Sequence, residues 1–406
     1  MIILKSKSLK RNILLGISVI VLVLCIGLFM KNKTDILNNG SINKESVTKE
    51  LNDNLIGTYI QEGEEYKQTD DIPSSGYEFN EEKSYCKIGE DIQEGTTLSY
   101  DMDTQTLTVS PITKEGMKCY LYFDEKASGS EYILASENAP TNSTTDWTNG
   151  GKGITYYYTG NPNNWIEFAG FYWRIIRING DGSIRMIYQG TSANTRGTET
   201  QIGTSAFNSS TDNKTYVGLV FDGVNQHGYG TNSTIMNTLN TWYNNNLASY
   251  EAAYIDIETG FCSDRNLAVG SYWTDSSPSY APYDRLSGPA SLQCHNEDIL
   301  SQINGKLPNP IGLVTIDEAI LTGITWNNVN TGSYLYTEQT YWTMSPSTFN
   351  FPYSGAVVLL VNSNGDLDAQ DVDIMYGVRP VINIRADVAL SGSGTTSDPF
   401  KVVGAS

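Results

Sequence analysis

Histidine is almost missing from this 406-residue chain, which carries only His227 and His295. A catalytic centre organised around a histidine cluster is therefore excluded, and no Ser, His and acid set stands at a motif spacing. Cysteine is scarce as well, five in all, with none after Cys294. Positive charge is in short supply, with 26 Lys and Arg against 45 Asp and Glu, for a formal charge of −19. Six of those bases (Lys5, Lys7, Lys10, Arg11, Lys31 and Lys33) precede the first acid, Asp35, so the remainder is still more acidic. Such a surface repels phosphate backbones and anionic lipid, which argues against nucleic acid and leaves divalent cations or uncharged glycans as partners. Charged residues make up only 17% of the chain, whereas 26 Tyr and 37 Gly accompany many Asn, Ser and Thr. That mixture of strand formers and turn formers points to an all-β or loop-rich α+β exterior protein.

Only one long apolar run is present, Ile13 to Met30, flanked by Lys10-Arg11 and Lys31. It is just long enough to span a bilayer as a helix. Gly27 to Lys31 has no small-residue cleavage pattern, and Leu24 before Cys25 is too bulky for a lipoprotein box. The expectation is an uncleaved anchor over 13–30, with residues 1–12 cytoplasmic and the bulk outside the cell membrane. Residues 31–54 are polar, without periodicity, and read as a flexible stalk.

Residues 55–125 show short strand-like runs, among them Ile56–Ile60, Thr97–Tyr100, Thr106–Val109 and Cys119–Phe123. They read as a small all-β domain stapled by Cys86 and Cys119, a bridge adding about 3 to 4 kcal/mol through loop closure. Asp101-Met102-Asp103 reads as a hairpin turn rather than half a calcium loop, because the later ligands are missing. Residues 126–152, rich in Ser, Thr, Asn and Gly, read as a linker.

The main domain, 153–403, opens on Trp165 to Ile178, read as one strand that turns at Asn179-Gly180 and returns through Ser183 to Tyr188. Its faces are apolar except for Arg174, Arg177 and Arg185, which puts the hairpin in the centre of a sheet. Asn232 or Ser233 caps a helix carrying Ile235, Leu239 and Trp242, and a second helix follows through Leu247, Tyr250 and Tyr254. Phe261 to Asn309 is a long loop region with Cys262 and Cys294 at its ends, which a disulfide would pin in an oxidising compartment. Thr315-Ile316-Asp317-Glu318 is a capping box that starts a two-turn helix ending at Gly323. Tyr341 to Ser345, the apolar run Ala356 to Val361, the Asn364-Gly365 turn and Val378 to Ile384 close the domain, with Trp342 and Arg379 internal.

That order of hairpin, paired helices, loop region, capped helix, Tyr341-Trp342-Thr343 strand and Val378-Arg379-Pro380-Val381 strand resembles the C-type-lectin-like fold, in the variant shared by formylglycine-generating enzymes. Residues 154–403 also resemble an uncharacterised domain family of surface proteins in Firmicutes, through Leu239-Asn240-Thr241-Trp242-Tyr243 and Gly377-Val378-Arg379-Pro380. The resemblance implies an α+β head with a twisted antiparallel sheet. It does not bring an activity with it, since the late cysteine pair of the oxidases and the histidines of the iron-dependent relatives are missing. The calcium-lectin triplet is altered too, reading Leu307-Pro308-Asn309, and Trp326-Asn327-Asn328 has amide where the lectin motif has acid.

Asp366, Asp368, Asp371 and Asp373 could hold calcium in pairs on one strand face, but their pattern fits a solvated edge strand better. Glu167, between Trp165 and Phe168, is the acid best placed for hydrolytic chemistry, against the commoner outcome of a hydrogen-bonded glutamate at a strand end. His227 reads as an exposed loop residue. The combined expectation is a membrane-anchored, surface-displayed binding or adhesion head for a glycan or protein, with no cofactor. Its contacts are expected on the pinned loop, at Trp273 and Tyr283, and around Trp326, Asn327 and Tyr336. The alternatives are an extracellular hydrolase with an unrecognised site, or a non-binding structural protein of the envelope.

Overall fold

The computed structural model describes residues 56–405 except 64, 74–75, 102–105, 112–115, 146–152, 194–195 and 351, together with the backbone of two short strands, Ile2–Lys5 and Ile42–Asn43. The expected anchor at 13–30, most of the stalk and the turn after Asp101 lie outside the described residues. Among the described residues no helix is long and apolar enough to cross a membrane. The chain forms two compact units, residues 1–127 and 128–406; among the described residues the first is built of strands and the second of strands with a few short helices.

In the first unit β1 (Ile56–Glu62), β2 (Glu65–Thr69), β3 (Tyr77–Ile88), β4 (Thr97–Asp101), β5 (Thr106–Ser110) and β6 (Met117–Glu125) carry the core. β6 lies between β1, parallel to it, and β3, antiparallel, with β2 paired outside β1. Strict alternation along β6 buries Met117, Cys119, Leu121 and Phe123 against Leu98, Tyr100, Leu107 and Val109 of the β4–β5 hairpin. Cys86 and Cys119 are directly opposed across β3 and β6 and are bonded, as expected. β3 was not anticipated: Glu81-Glu82-Lys83 interrupts its pattern, and a register shift between Asn80 and Tyr85 accommodates the charged stretch at the sheet margin.

The second unit starts earlier than residue 153. Ser128 and Glu131 form a capping box on α1 (Gly129–Leu134), and β7 (Asn142–Thr145) pairs with β8 (Ile154–Tyr157). The stretch 126–152, expected as a linker, is thus largely built into this unit, with Ile133 fully buried. Its polar composition concealed a cap and an edge strand, both of which use Ser, Thr and Asn.

The strand expected over Trp165 to Ile178 is two strands. β9 (Trp165–Phe168) folds back on β10 (Phe171–Ile178) through Ala169-Gly170, whose φ values of 55° and 76° make the tight turn that matches strand twist. β10 continues to β11 (Ile184–Gly190) around the expected Asn179-Gly180 turn. β11 pairs with a late strand, Val381–Ile384, and β9 pairs in parallel with Phe400–Val402, so chain segments about 200 residues apart in order close one eight-stranded sheet.

Ser233 caps α2 (Thr234–Asn246), which buries Ile235, Met236, Leu239 and Tyr243. Trp242, on its edge, meets Trp173 and Tyr188 edge-on and Phe171 at a tilt. A 3-10 turn then leads to α3 (Glu251–Tyr254), giving the expected helices in tandem. α4 (Ile316–Leu321) carries the expected capping box. A second, five-stranded sheet contains β12 (Tyr341–Asn350), β13 (Gly355–Val361) and β14 (Leu367–Asp371), with β14 at its edge. Trp342 is completely buried and donates from its indole N–H to the Ser205 carbonyl.

Candidate functional site

Three arginines interrupt the apolar β10–β11 hairpin, and their fates differ. Arg177 and Arg185 are opposed across the hairpin and both reach Glu318 of α4; Arg177 Nε lies 3.1 Å from Oε1, and Arg185 Nε contacts the same oxygen. Glu318 also accepts from the Thr315 N–H at 2.8 Å, so one carboxylate caps a helix and pairs with two guanidiniums. Burial alone would raise its pKa, and the Arg185 and Arg177 charges with the Thr315 N–H hold it below the usual carboxylate range. Beside this triad, Arg285 makes a bidentate contact with Asp317, 2.7 Å on each arm, and also touches Asp264. The intervening space is only about 10 Å³, too small for a ligand, so this network is structural. Together with the Cys262–Cys294 disulfide it pins the long loop region that those cysteines bracket.

Arg174 has no such partner. It sits opposite Trp165 in the β9–β10 register, and its guanidinium lies 4.3 Å from the Trp165 ring centre and 5.1 Å from that of Tyr334. Nε donates to Asn164 Oδ1, and Nη2 donates to the Pro162 carbonyl at 2.9 Å. Asn164 is itself locked, with its amide donating to the Ile175 carbonyl at 2.7 Å. No carboxylate pairs with Arg174 among the described residues, and Nη1 has no hydrogen-bond partner there. Burial pushes its pKa down to about 9, with the Tyr334 phenol opposing the fall and the Arg379 charge adding to it. It remains charged at neutral pH.

Arg174 forms one wall of a cavity of about 230 Å³. Gln189, at the end of β11, and the segment Thr331 to Tyr336 form other walls. That segment is held from behind: the Leu335 carbonyl accepts from the Tyr341 hydroxyl at 2.8 Å and from Arg379 Nη1 at 3.1 Å, and the Tyr334 N–H donates to the Gly160 carbonyl at 2.7 Å. The Tyr334 hydroxyl is buried and has no hydrogen-bond partner among the described residues. Arg196, at the rim, lies over the Tyr336 ring at 5.4 Å and reaches the exposed Glu338 at 3.2 Å. None of the residues lining the cavity is an Asp or Glu, in a chain with 45 of them.

Arg379 is buried behind the cavity and donates to the Tyr188 and Leu335 carbonyls and to Gln189 Oε1. It is internal, as expected, and carbonyl dipoles rather than a salt bridge hold its charge.

The residues singled out from sequence are scattered. Tyr336 lines the cavity. Trp326 is half-buried and bridges to Leu367, and Asn327 is exposed beside it in a left-handed conformation. Trp273 carries Lys214 4.2 Å over its ring, and Tyr283 is exposed on the short helix Ala281–Arg285. Asp366 engages Asn364 in the hairpin turn, and Asp368 and Asp371 lie on the edge strand β14. Among the described residues no three His, Cys, Asp or Glu side chains come together as a metal site. Glu167 lies on β9 of the eight-stranded sheet, whereas Asp368 and Asp371 lie on β14 of the other. His227 is not a free loop residue: its Nδ1 lies 2.9 Å from the buried Asp298, which also accepts from the Arg265 N–H.

Sequence reasoning missed Arg174, Tyr334 and Gln189. The signal for Arg174 was present as one of three arginines in an apolar hairpin, but only the packing of α4 shows which two find a carboxylate. Comparison with protein-family models, curated proteins and solved structures finds no match for this chain.

Proposed function

We propose that residues 128–405 are a ligand-binding head displayed outside the cell, and that the Arg174 cavity is its ligand site. The observation that carries this is a buried guanidinium without a carboxylate, on the wall of an open polar cavity. A buried charge lacking its counter-charge is destabilising, and one that also faces a cavity is a candidate anion site. The order of hairpin, tandem helices, pinned loop, capped helix and closing hairpin supports a C-type-lectin-like head, and the apolar run at 13–30 supports a membrane anchor. The extracellular placement is supported by the two disulfides.

The test is an array of glycans and extracellular proteins probed with the full-length chain in detergent, with and without calcium. Selective retention of one ligand class, lost on Arg174→Gln, is expected. Silence across the whole array overturns the reading.

A further inference from the structure

We infer that the cavity takes a sugar residue bearing a carboxylate, of the uronic or sialic type, with the carboxylate against Arg174 and Arg196. This rests on the binding reading above and specifies its ligand.

Charge makes the first part of the case. The chain as a whole is strongly acidic, yet the cavity wall carries two arginines and no acid. Arg379 stands behind it, close enough to depress the Arg174 pKa, and is tied through Gln189 to the cavity wall. Two buried positive charges without carboxylates therefore bias one recess toward anions within a molecule that otherwise repels them. Two Arg174 arms are tied to protein oxygens, which leaves Nη1 for a ligand oxygen. Arg196 lies over the Tyr336 ring and is paired with an exposed glutamate, a pairing worth little in water and easily exchanged.

The remaining lining specifies what carries the anion. Asn161, Asn163, Thr331 and Ser333 supply neutral donors and acceptors, and Tyr334 closes the wall between them. Tyr336 adds an aromatic face. Several neutral hydrogen-bonding groups around one ring face suit a saccharide, whose hydroxyls donate and accept. They do not suit a peptide C-terminus, which needs an apolar recess for its side chain. The volume of about 230 Å³ is below the roughly 300 to 1,000 Å³ of sites for drug-sized molecules, so the cavity takes a terminal residue rather than an extended chain.

The experiment titrates the full-length chain with glucuronate- and sialate-terminated oligosaccharides, with the same oligosaccharides after reduction of the carboxyl to an alcohol, and with sulfated counterparts. Binding of the carboxylated forms is expected, with a loss of about ten- to a hundred-fold on carboxyl reduction, the range for a hydrogen bond to a charged group. Arg196→Gln and Thr331→Val, both at exposed positions of the lining, should retain the fold and still weaken binding. Equal affinity for the reduced oligosaccharides, or preference for the sulfated ones, overturns the carboxylate assignment and leaves the binding head standing. Absence of binding to any saccharide or protein on the wider array removes both. Unchanged affinity in both variants places the ligand elsewhere and also overturns the inference.

Discussion

At the scale of single residues, the decisive contrast is between arginines of one hairpin. Arg177 and Arg185 share Glu318 as their carboxylate, and removing it takes the counter-charge from two buried guanidiniums. Glu318→Gln should therefore lower stability at neutral pH by about 3 to 5 kcal/mol. The pKa of Glu318 in the folded state lies below the unfolded carboxyl value of about 4.3, so its contribution is present above that pH and is lost as pH falls through the folded value. Urea unfolding at pH 7 and pH 3 should show the gap between wild type and variant shrinking in acid. A gap of constant size would mean that Glu318 acts by shape alone. Arg174 obeys the same electrostatics without a carboxylate to balance it, which is why it points to a ligand and its neighbours do not.

At the scale of elements, the turn at Ala169-Gly170 decides the path of the chain into the central sheet. Gly170 has φ 76° and open space where a Cβ would stand. Gly170→Ala should therefore destabilise by about 1 to 2 kcal/mol through backbone conformation alone, measurable by chemical denaturation without change in the denaturant slope. An unchanged midpoint would show that the turn tolerates a left-handed alanine at no cost, as Ala169 already has φ 55°. This turn was hard to see because Trp165 to Ile178 is apolar nearly throughout, and an unbroken apolar run carries no alternation to mark a reversal. The capping boxes at Ser128 and Thr315 differ in the same way. The second precedes an apolar helix face and was legible, whereas the first is embedded in a polar stretch that resembles linker.

At the scale of the whole molecule, each unit holds one disulfide, Cys86–Cys119 and Cys262–Cys294. Alkylation of the unreduced full-length chain followed by intact mass should label a single thiol, Cys25. Four additional labels would remove the support for an oxidising compartment. Replacing Cys262 and Cys294 together by Ser should cost about 3 to 4 kcal/mol, because the closed loop spans 32 residues, and should loosen the loop that Arg285 also holds. The acidic balance of the whole chain suggested uncharged partners, but a net charge is a sum over the surface and does not describe a recess that excludes acids.

The sequence by itself determined the strand-rich class, the two cysteine pairings, the Thr315 cap, the tandem helices and the closing hairpin. These depend on local periodicity, turn chemistry and spacing, which operate over a few residues or within a small set of cysteines. Tertiary structure alone decided where the charges go. Glu318 meets Arg177 and Arg185 only because α4, more than a hundred positions further on, reaches the β10–β11 hairpin, and Arg174 is left facing a cavity only because the segment around Tyr334 closes over the strands that carry Trp165, Arg174 and Gln189. Partner choice for a buried charge depends on which groups lie within a few ångströms, and chain order does not encode that distance for residues more than a hundred positions apart.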